Sequence, residues 1–328
     1  MSKHRRPIVA VVANDQKLPS STANALRGAL DEHGYQVAWH TIHKGSAATK
    51  ATAAAVAAGA SRVIVAGGDG TVRAAIQAVA GTDIPLAVVP AGTANLFATA
   101  LRLPSEPEAI VAAVQGGATR RLDTARCNDL AFAIMAGTGL DAGMIDAADD
   151  AKERLGTVAY VRAGWREARQ REPFEASVTV DGNLLFEGSA TCVLTANIGS
   201  LKGGLDAFPA ASPEDGLLDV AVVTAAGLRA WGSLMLSAVR GTQADSDHVH
   251  LARGARIKVK LAERHRFELD GGMKGRARRL DVRVVPASLS VVVPVPTDGQ
   301  TDGPADGPTD AADAPADTAA AVGATTVD

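Results

Sequence analysis

The chain has few aromatic residues and few cysteines, and these shortages exclude several classes of protein. Only 3% of its 328 residues are Phe, Trp or Tyr, so stacking on nucleic-acid bases is not expected, and we predict no nucleic-acid partner. The two cysteines, Cys127 and Cys192, are far apart and lack the spacing of metal ligands. This pattern indicates reduced thiols in a reducing compartment and not a disulfide framework.

Long apolar runs are also missing. The apolar segment Ile8–Val12 is too short for an export signal and ends before the polar residue Asn14. No other stretch reaches the length of a membrane-spanning helix. We therefore expect a cytoplasmic protein whose contact with the membrane is peripheral.

Positive charge is absent from the end of the chain and concentrated just before it. Residues 297–328 hold seven Asp and no Lys or Arg, so removing them changes the net charge from −3 to +4. This acidic segment is too polar to bury a core and is predicted to be a disordered tail. Residues 253–283 contain eleven Lys or Arg. They form either an ordinary solvated sheet surface or a face that suits an anionic membrane or a polyphosphate.

The order of predicted elements divides the chain in two. Short apolar strands alternate with helical patterns over residues 7–104, which predicts a doubly wound parallel sheet of the α/β class. From about residue 125 the pattern changes to short strands separated by turns, including a hairpin signal at Asp181-Gly182. We predict the following organisation: a nucleotide-binding α/β domain at 1–124, completed by a returning segment near 286–296; a β-rich domain at 125–285, with helices only at 152–169 and 228–240; and the tail at 297–328.

The most informative stretch is an apolar β-branched run, Val63–Ala66, followed by Gly67-Gly68-Asp69-Gly70-Thr71 and a helical pattern. The three glycines let backbone N–H groups approach an anion closely, and the start of the helix adds partial positive charge. The carboxylate of Asp69 would repel phosphate unless it faces a metal ion or its water. The loop thus predicts a nucleotide-phosphate site in a phosphotransferase; the alternative is a simple tight turn.

A second loop of the same kind follows the next predicted strand. Leu86–Val89 leads into Pro90-Ala91-Gly92-Thr93-Ala94-Asn95 and then a short helical pattern. Thr93 and Asn95 supply a hydroxyl and an amide at the carboxyl end of that strand. Open α/β sheets bind ligands at such strand ends, so we expect both loops to face one crevice.

With these motifs, the sequence resembles the bacterial diacylglycerol-kinase-type lipid kinases, which are relatives of sphingosine and ceramide kinases. The resemblance covers about residues 7–296. Its order of motifs is specific, because NAD kinases share the Gly-Gly-Asp-Gly loop without the later ones. Besides the two loops, the matching segments are Asp123, Ala136–Asp141, Lys152–Gly156, Asn197–Gly199 and Ser212–Asp219.

The resemblance implies an α/β nucleotide domain and a C-terminal β-sandwich domain that closes over the cleft. It implies that Asp69 and Asp123 organise catalytic Mg²⁺ through water. It also implies a structural metal site, with Asp215 as side-chain ligand and the carbonyls of Ser212 and Leu217 beside it, suited to Mg²⁺ or Ca²⁺. The residues implied to contact ATP are Asn14, Thr41, Gly67, Gly68, Asp69, Gly70, Thr71, Gly92, Thr93 and Asn95.

Two departures from the family pattern bear on activity. The family usually reads Asp-Gly-Glu near the end of the second domain, and the Glu is its general base. Here the run is Leu269-Asp270-Gly271-Gly272-Met273, so Gly272 occupies the base position. Asp270 could substitute, although its side chain would point the other way in an extended run. Leu96 stands where several relatives carry an Asp, which removes one acid from the metal network.

Three functions are consistent with the sequence. The first is an ATP- and Mg²⁺-dependent lipid kinase that phosphorylates diacylglycerol or a similar lipid alcohol. The second is a pseudokinase that binds nucleotide or lipid without efficient transfer, as the glycine at 272 would allow. The third is a kinase for a soluble substrate such as NAD, which the lipid-kinase-like second domain disfavours. The sequence fixes neither the lipid nor the oligomeric state, for which a homodimer is one option.

Overall fold

The computed structural model describes residues 7–139, 173–201, 205–206, 208–224 and 248–295. The helices predicted at 152–169 and 228–240 and the acidic tail at 297–328 lie outside these residues.

The first half of the chain is a parallel sheet with helices on both faces, as predicted. Its strands are β1 (Ile8–Asn14), β2 (Gln36–Ile42), β3 (Arg62–Gly67) and β4 (Leu86–Pro90), in the order β2-β1-β3-β4. Its helices are α1 (Ser20–Glu32), α2 (Ala48–Ala57), α3 (Asp69–Val79), α4 (Leu96–Ala100) and α5 (Pro107–Gly116), and a 3-10 turn (Gly45–Ala47) precedes α2.

Both faces of this sheet are buried at strands β1, β3 and β4, which are mostly apolar, whereas the edge strand β2 is partly exposed. Side chains alternate between the two faces of a strand. In β1, Val9 and Val11 therefore pack against Leu26 of α1, whereas Val12 packs on the other face in the same cluster as Ile76 of α3. The polar side chains of this domain that could bind a ligand therefore lie in the loops at the strand ends.

The second half is an antiparallel β-sandwich, which confirms the predicted class. Its own core includes Val178, Leu218, Ile257 and Leu269. Its strands are β5 (Thr119–Cys127), β6 (Leu130–Phe132), β7 (Met135–Thr138), β8 (Phe174–Val180), β9 (Asn183–Ala190), β10 (Cys192–Ala196), β11 (Ser200–Leu201), β12 (Leu205–Asp206), β13 (Leu218–Val223), β14 (Val249–Gly254), β15 (Arg256–Leu269) and β16 (Gly272–Val292).

The longest strands, β15 and β16, form one hairpin, whereas the sequence pattern predicted several shorter strands in this region. The breaks that suggested separate strands are register shifts, between Lys260 and His265 in β15 and between Val285 and Leu289 in β16. A bulge interrupts the alternation of side chains without ending the strand. The short apolar runs in the sequence therefore predicted several strands where the structure has two long ones, β15 and β16.

Strand β16 belongs to both halves of the molecule. It begins at the hairpin turn, pairs antiparallel with β15 and β5, and at Val291 pairs in parallel with Leu86 of β4. The hairpin turn and the parallel sheet are therefore joined by one uninterrupted strand.

Candidate functional site

The first glycine-rich loop is very short, because β3 ends at Gly67 and α3 begins at Asp69. The Gly68 carbonyl accepts the N–H groups of Thr71 at 2.8 Å and Val72 at 3.0 Å, so the helix begins within the motif. A Cβ on Gly67 would lie 2.7 Å from the Thr71 side chain, closer than real Cβ contacts. The loop needs glycine here because the strand end packs directly against the helix start.

The second loop is closed by Asn95. Its backbone is left-handed, with φ 49°, a conformation that Asn tolerates better than most residues. Its side-chain Oδ1 accepts the Gly92 N–H at 2.8 Å and its Nδ2 donates to the Gly92 carbonyl at 2.9 Å. The amide predicted to contact ATP is therefore used to shape the loop, and Asn95 is not among the residues that line the cleft described next.

The two loops border one cleft of about 360 Å³ at the carboxyl ends of the parallel strands. This is the place where open α/β sheets bind ligands. The hairpin turn between β15 and β16 forms another wall. The lining residues are Asn14, Lys17, Gly45, Gly68, Asp69, Gly70, Thr71, Gly92, Thr93, Ala94, Leu96, Asp270, Gly271 and Gly272.

Asp69 is the acid that the first loop presents to the cleft. Burial raises the pKa of its carboxyl group, and backbone N–H groups of Phe97 and its neighbours oppose that rise. The Phe97 N–H lies 3.5 Å from Oδ1, which is a long hydrogen bond. A desolvated carboxylate beside glycine N–H groups suits a cation that is itself bound to phosphate.

Asn14, at the end of β1, and Thr71, in the first turn of α3, are joined by a hydrogen bond. Asn14 Nδ2 donates to Thr71 Oγ1 at 3.2 Å, and both residues are buried where they line the cleft. The bond fixes the direction of the threonine hydroxyl. Both residues are therefore positioned polar groups on the floor of the cleft.

Two further residues predicted to contact ATP do not line the cleft. Thr41 is exposed near the end of β2, where it pairs with Ala13 of β1. Because β2 is the edge strand, Thr41 is separated from the glycine loops by another strand. Gly67 is buried as the last residue of β3 and supports the loop from behind.

Asp123 is not in the cleft lining either, although it was predicted to organise Mg²⁺. It is 4% exposed, and its two carboxylate oxygens each accept a backbone N–H at 2.7 Å, from Ala287 and Gly216. Its own N–H donates to the Pro213 carbonyl at 2.6 Å, and its carbonyl accepts the side-chain amide of Asn197 at 3.0 Å. This carboxylate ties three segments together, so its geometry supports a structural role.

The residues around Asp215 do not fit a bound metal in this arrangement. One oxygen of Asp215 accepts the Leu217 N–H at 2.9 Å, and the other accepts the Arg253 guanidinium. Arg253 also donates to Asp219 at 3.2 Å and to the Ala210 carbonyl at 3.2 Å. Across the described ranges, no group of three or more His, Cys, Asp or Glu is arranged to hold a metal ion, so an ion at this loop would depend on backbone carbonyls beside the single carboxylate of Asp215. The cation beside the predicted ligands Ser212, Asp215 and Leu217 is an arginine.

Asp270 is a cleft residue whose position the sequence did not predict. It follows β15 in a two-residue turn with Gly271, with φ values of 47° and 71°, and is not extended. Its carboxylate accepts the N–H groups of Ala133, Ile134 and Met135 at 2.8–3.0 Å. The Asp-Gly pair is a known hairpin signal and could have revealed the turn. The bonds were not predictable, because they join residues more than 130 positions apart.

Comparisons with known proteins agree with this architecture. The family model for the diacylglycerol kinase catalytic domain matches residues 9–127. The model for the YegS C-terminal NAD kinase beta sandwich-like domain matches residues 134–293. The cleft and the two matched domains thus define a class, the kinases built on this pair of domains.

Individual relatives place the chain more closely. The diacylglycerol kinase of Bacillus subtilis is 30% identical over 251 residues, which cover 75% of this chain and 82% of the relative. That of Mycobacterium tuberculosis is 32% identical over 248 residues, covering 74% and 80%. An uncharacterized Synechocystis protein is 34% identical over 247 residues, and the match spans 56% of that longer protein. The chain belongs to the diacylglycerol kinase family.

A solved structure supports the fold. The crystal structure of a diacylglycerol kinase from Bacillus anthracis matches with a TM-score of 0.67 at 20% identity, covering 89% of this chain and 98% of the other. Among the described residues, no helix is long and apolar enough to cross a membrane.

Proposed function

We propose that this protein is an ATP- and Mg²⁺-dependent kinase that transfers the γ-phosphoryl group to a hydroxyl of diacylglycerol or a similar lipid alcohol. The observation that carries the proposal is the cleft in which the two glycine loops meet beside Asp69. Backbone N–H groups on these loops would hold the phosphates. Family membership supports a lipid as the acceptor.

The residues present fit a catalytic Mg²⁺ at one place. Two carboxylates line the cleft, and that of Asp270 is already taken up by three backbone N–H groups. Asp69 is the one that would hold the ion, and Mg²⁺ commonly takes one or two carboxylates together with substrate phosphates. When bound, the ion would neutralise charge on the phosphates. Asn14 and Thr71 would orient polar groups of the nucleotide.

Access to a lipid is consistent with the basic face of the long hairpin. In three cross-strand pairs of β15 and β16 a cation stands directly opposite another cation: Arg256 and Arg283, Lys260 and Arg279, and Arg266 and Arg276. All six residues are exposed. The charge of Arg256 is already offset by Asp281. In the other two pairs, like charges placed opposite each other destabilise the sheet, and an anionic surface would offset that cost. We therefore infer peripheral binding to anionic membranes through this face.

The activity is tested with vesicles of phosphatidylcholine and diacylglycerol, radiolabelled ATP and Mg²⁺. We expect labelled phosphatidic acid from the parent protein and at least about 10²-fold less from Asp69→Asn. Transfer to NAD instead of lipid would favour the soluble-substrate kinase. Tight ATP binding without transfer to any acceptor would favour the pseudokinase, for which the glycine at 272 is the specific observation.

Membrane contact is tested separately by co-sedimentation with vesicles. Binding should require anionic lipid and fall for Lys260→Gln/Arg279→Gln. The charge-matched variant Arg27→Gln/Lys50→Gln, which alters helices of the α/β domain, should bind like the parent. Equal binding by both double variants would exclude the hairpin face as the contact.

A further inference from the structure

Lys274 occupies the space next to the missing carboxylate. Gly272 lines the cleft, and a Cβ built on it would lie 3.1 Å from Lys274 Nζ. The ammonium group therefore fills the volume into which a longer side chain at 272 would extend. Lys274 is not itself among the residues that line the cleft, but its Nζ lies next to Gly272, which does line it.

A bulge in β16 gives Lys274 this position. Phe267 pairs with Gly275 and Glu268 pairs with Met273, so Lys274 is the extra residue between the two pairs. Gly275 follows with φ 132°, a value that L side chains rarely adopt. Bulges of this kind redirect a side chain and are frequent beside active sites.

The surroundings of Lys274 favour its neutral amine. Burial and the positive charge of Arg73 on α3 lower the pKa of Lys274, while the negative charge of Asp270 at the hairpin turn opposes them. Burial also raises the pKa of the Asp270 carboxyl group, while the three backbone N–H groups and the charge of Arg73 oppose that rise. An amine in this setting can accept a proton at a pH where an exposed lysine cannot.

We propose that Lys274 is the general base of this enzyme, taking over the role of the carboxylate that position 272 lacks. The inference rests on the proposed lipid kinase function. The neutral amine accepts the proton of the lipid hydroxyl as its oxygen bonds to the γ-phosphorus. The bond from that phosphorus to the β,γ-bridging oxygen breaks, ADP leaves, and the ammonium group returns the proton to water.

Two substitutions test whether Lys274 acts as a general base or only supplies a positive charge. Lys274→Met keeps the length of the side chain, and we expect kcat to fall by about 10²–10⁴ with little change in KM for ATP. Lys274→Arg keeps the charge but cannot release its proton near neutral pH, so it should not restore kcat. The acidic limb of the pH–kcat profile should be present in the parent and absent in both variants. Lys50→Met, an exposed lysine on α2 away from the basic face of the hairpin, is the matched control.

A second experiment returns the carboxylate. The φ of Gly272 is not in the left-handed region, so a side chain there causes no backbone strain, and the only close neighbour is the lysine itself. The double variant Gly272→Glu/Lys274→Met should recover much of the activity lost by Lys274→Met. If the double variant melts like the parent but recovers no activity, the Glu at 272 and the amine of Lys274 do not act at the same place, which counts against the inference.

The outcomes are distinct. Parent-like kcat in Lys274→Met, or in Lys274→Arg with an unchanged pH profile, overturns the inference while the kinase function stands. A parent protein that binds ATP but phosphorylates no lipid overturns the proposed function, and the inference falls with it. Selective labelling of Lys274 by an amine-reactive reagent at pH 7–8, faster than labelling of Lys260, supports the inference independently of turnover.

Discussion

The Cα of Gly68 lies 2.5 Å from the point where a Cβ on Gly92 would stand, so the two glycine loops touch backbone to backbone. This contact places the ends of β3 and β4 side by side and forms the floor of the cleft. It also explains why neither loop can carry a side chain at this position.

Substituting Gly92→Ala should therefore separate the loops. We expect ATP affinity to fall at least about tenfold and the free energy of unfolding to fall by about 1–3 kcal/mol, the usual cost of overpacking a close contact. Calorimetry and urea denaturation measure the two effects. Gly28→Ala in α1, where a Cβ would meet nothing within 4 Å, should be neutral or slightly stabilising.

Asp69→Asn should lower turnover by at least about 10²-fold, because it removes the carboxylate that would hold Mg²⁺ against the phosphates. The fold should be unchanged, since the side chain keeps its shape. Steady-state kinetics over a range of Mg²⁺ concentrations measures the loss. Asp129→Asn, at an exposed turn, is the control, and equal turnover in both variants would remove Asp69 from the mechanism.

The same substitution should stabilise the free protein at neutral pH. Burial raises the pKa of Asp69 above its unfolded value, so the native state binds more protons than the unfolded state between those two values. Stability of the parent relative to Asp69→Asn should thus fall as pH rises from about 4, the unfolded pKa, through the folded pKa. Melting curves from pH 4 to 8 without nucleotide or Mg²⁺ test this. A parent that melts higher than the variant at pH 7 would contradict it.

Removal of the Asp270 carboxylate should destabilise the second domain. Asp270→Gly tolerates the positive φ but leaves three backbone N–H groups without their acceptor, and we expect a loss of about 2–4 kcal/mol. Asp270→Asn retains one acceptor oxygen and should lose less. Urea denaturation measures both. A stability of Asp270→Gly equal to that of the parent would show that water replaces the carboxylate without cost.

The acidic loop around Asp215 should be insensitive to chelation. Arg253 already serves both Asp215 and Asp219, so thermal melts of the parent with EDTA and with Mg²⁺ should superimpose. Arg253→Ala should cost about 1–3 kcal/mol, because it leaves the mostly buried Asp219 without its partner. Arg256→Ala, which breaks an exposed pair with Asp281, should cost at most about 1 kcal/mol. Stabilisation of the parent by Mg²⁺ at this loop would reinstate the predicted metal site.

Local sequence was sufficient for the class of fold and for most of the cleft. Apolar strands followed by glycine loops specify a parallel sheet with a cleft at its strand ends, and Asp69, Thr71 and Thr93 line that cleft, while their contacts with ATP or Mg²⁺ stay predictions. Asp123 and Asn95 were assigned roles that their hydrogen bonds do not support. A sequence shows which polar side chain stands at a strand end. It does not show which groups elsewhere in the chain already form hydrogen bonds with that side chain.

Contacts distant in the chain account for what the sequence did not predict. The carboxylate of Asp270 meets its donors only after the hairpin folds onto β7, and Lys274 reaches its place only because of a bulge. The alternation of residues in a strand predicts which face of the sheet each side chain is on. A bulge adds one residue, so side chains beyond it are on the opposite face from the one that the alternation predicts.

The shared strand β16 restricts how the two halves of this protein can move. One end of β16 turns at the cleft and the other is hydrogen-bonded beside β4, so rotation of the sandwich against the α/β sheet must bend that strand. Its pairing with β5 is interrupted between Val285 and Leu289, and there Ala287 has φ 47° and donates its N–H to Asp123. Any rotation of this kind would therefore bend β16 at this irregularity, where the Asp123 carboxylate holds the backbone of Ala287.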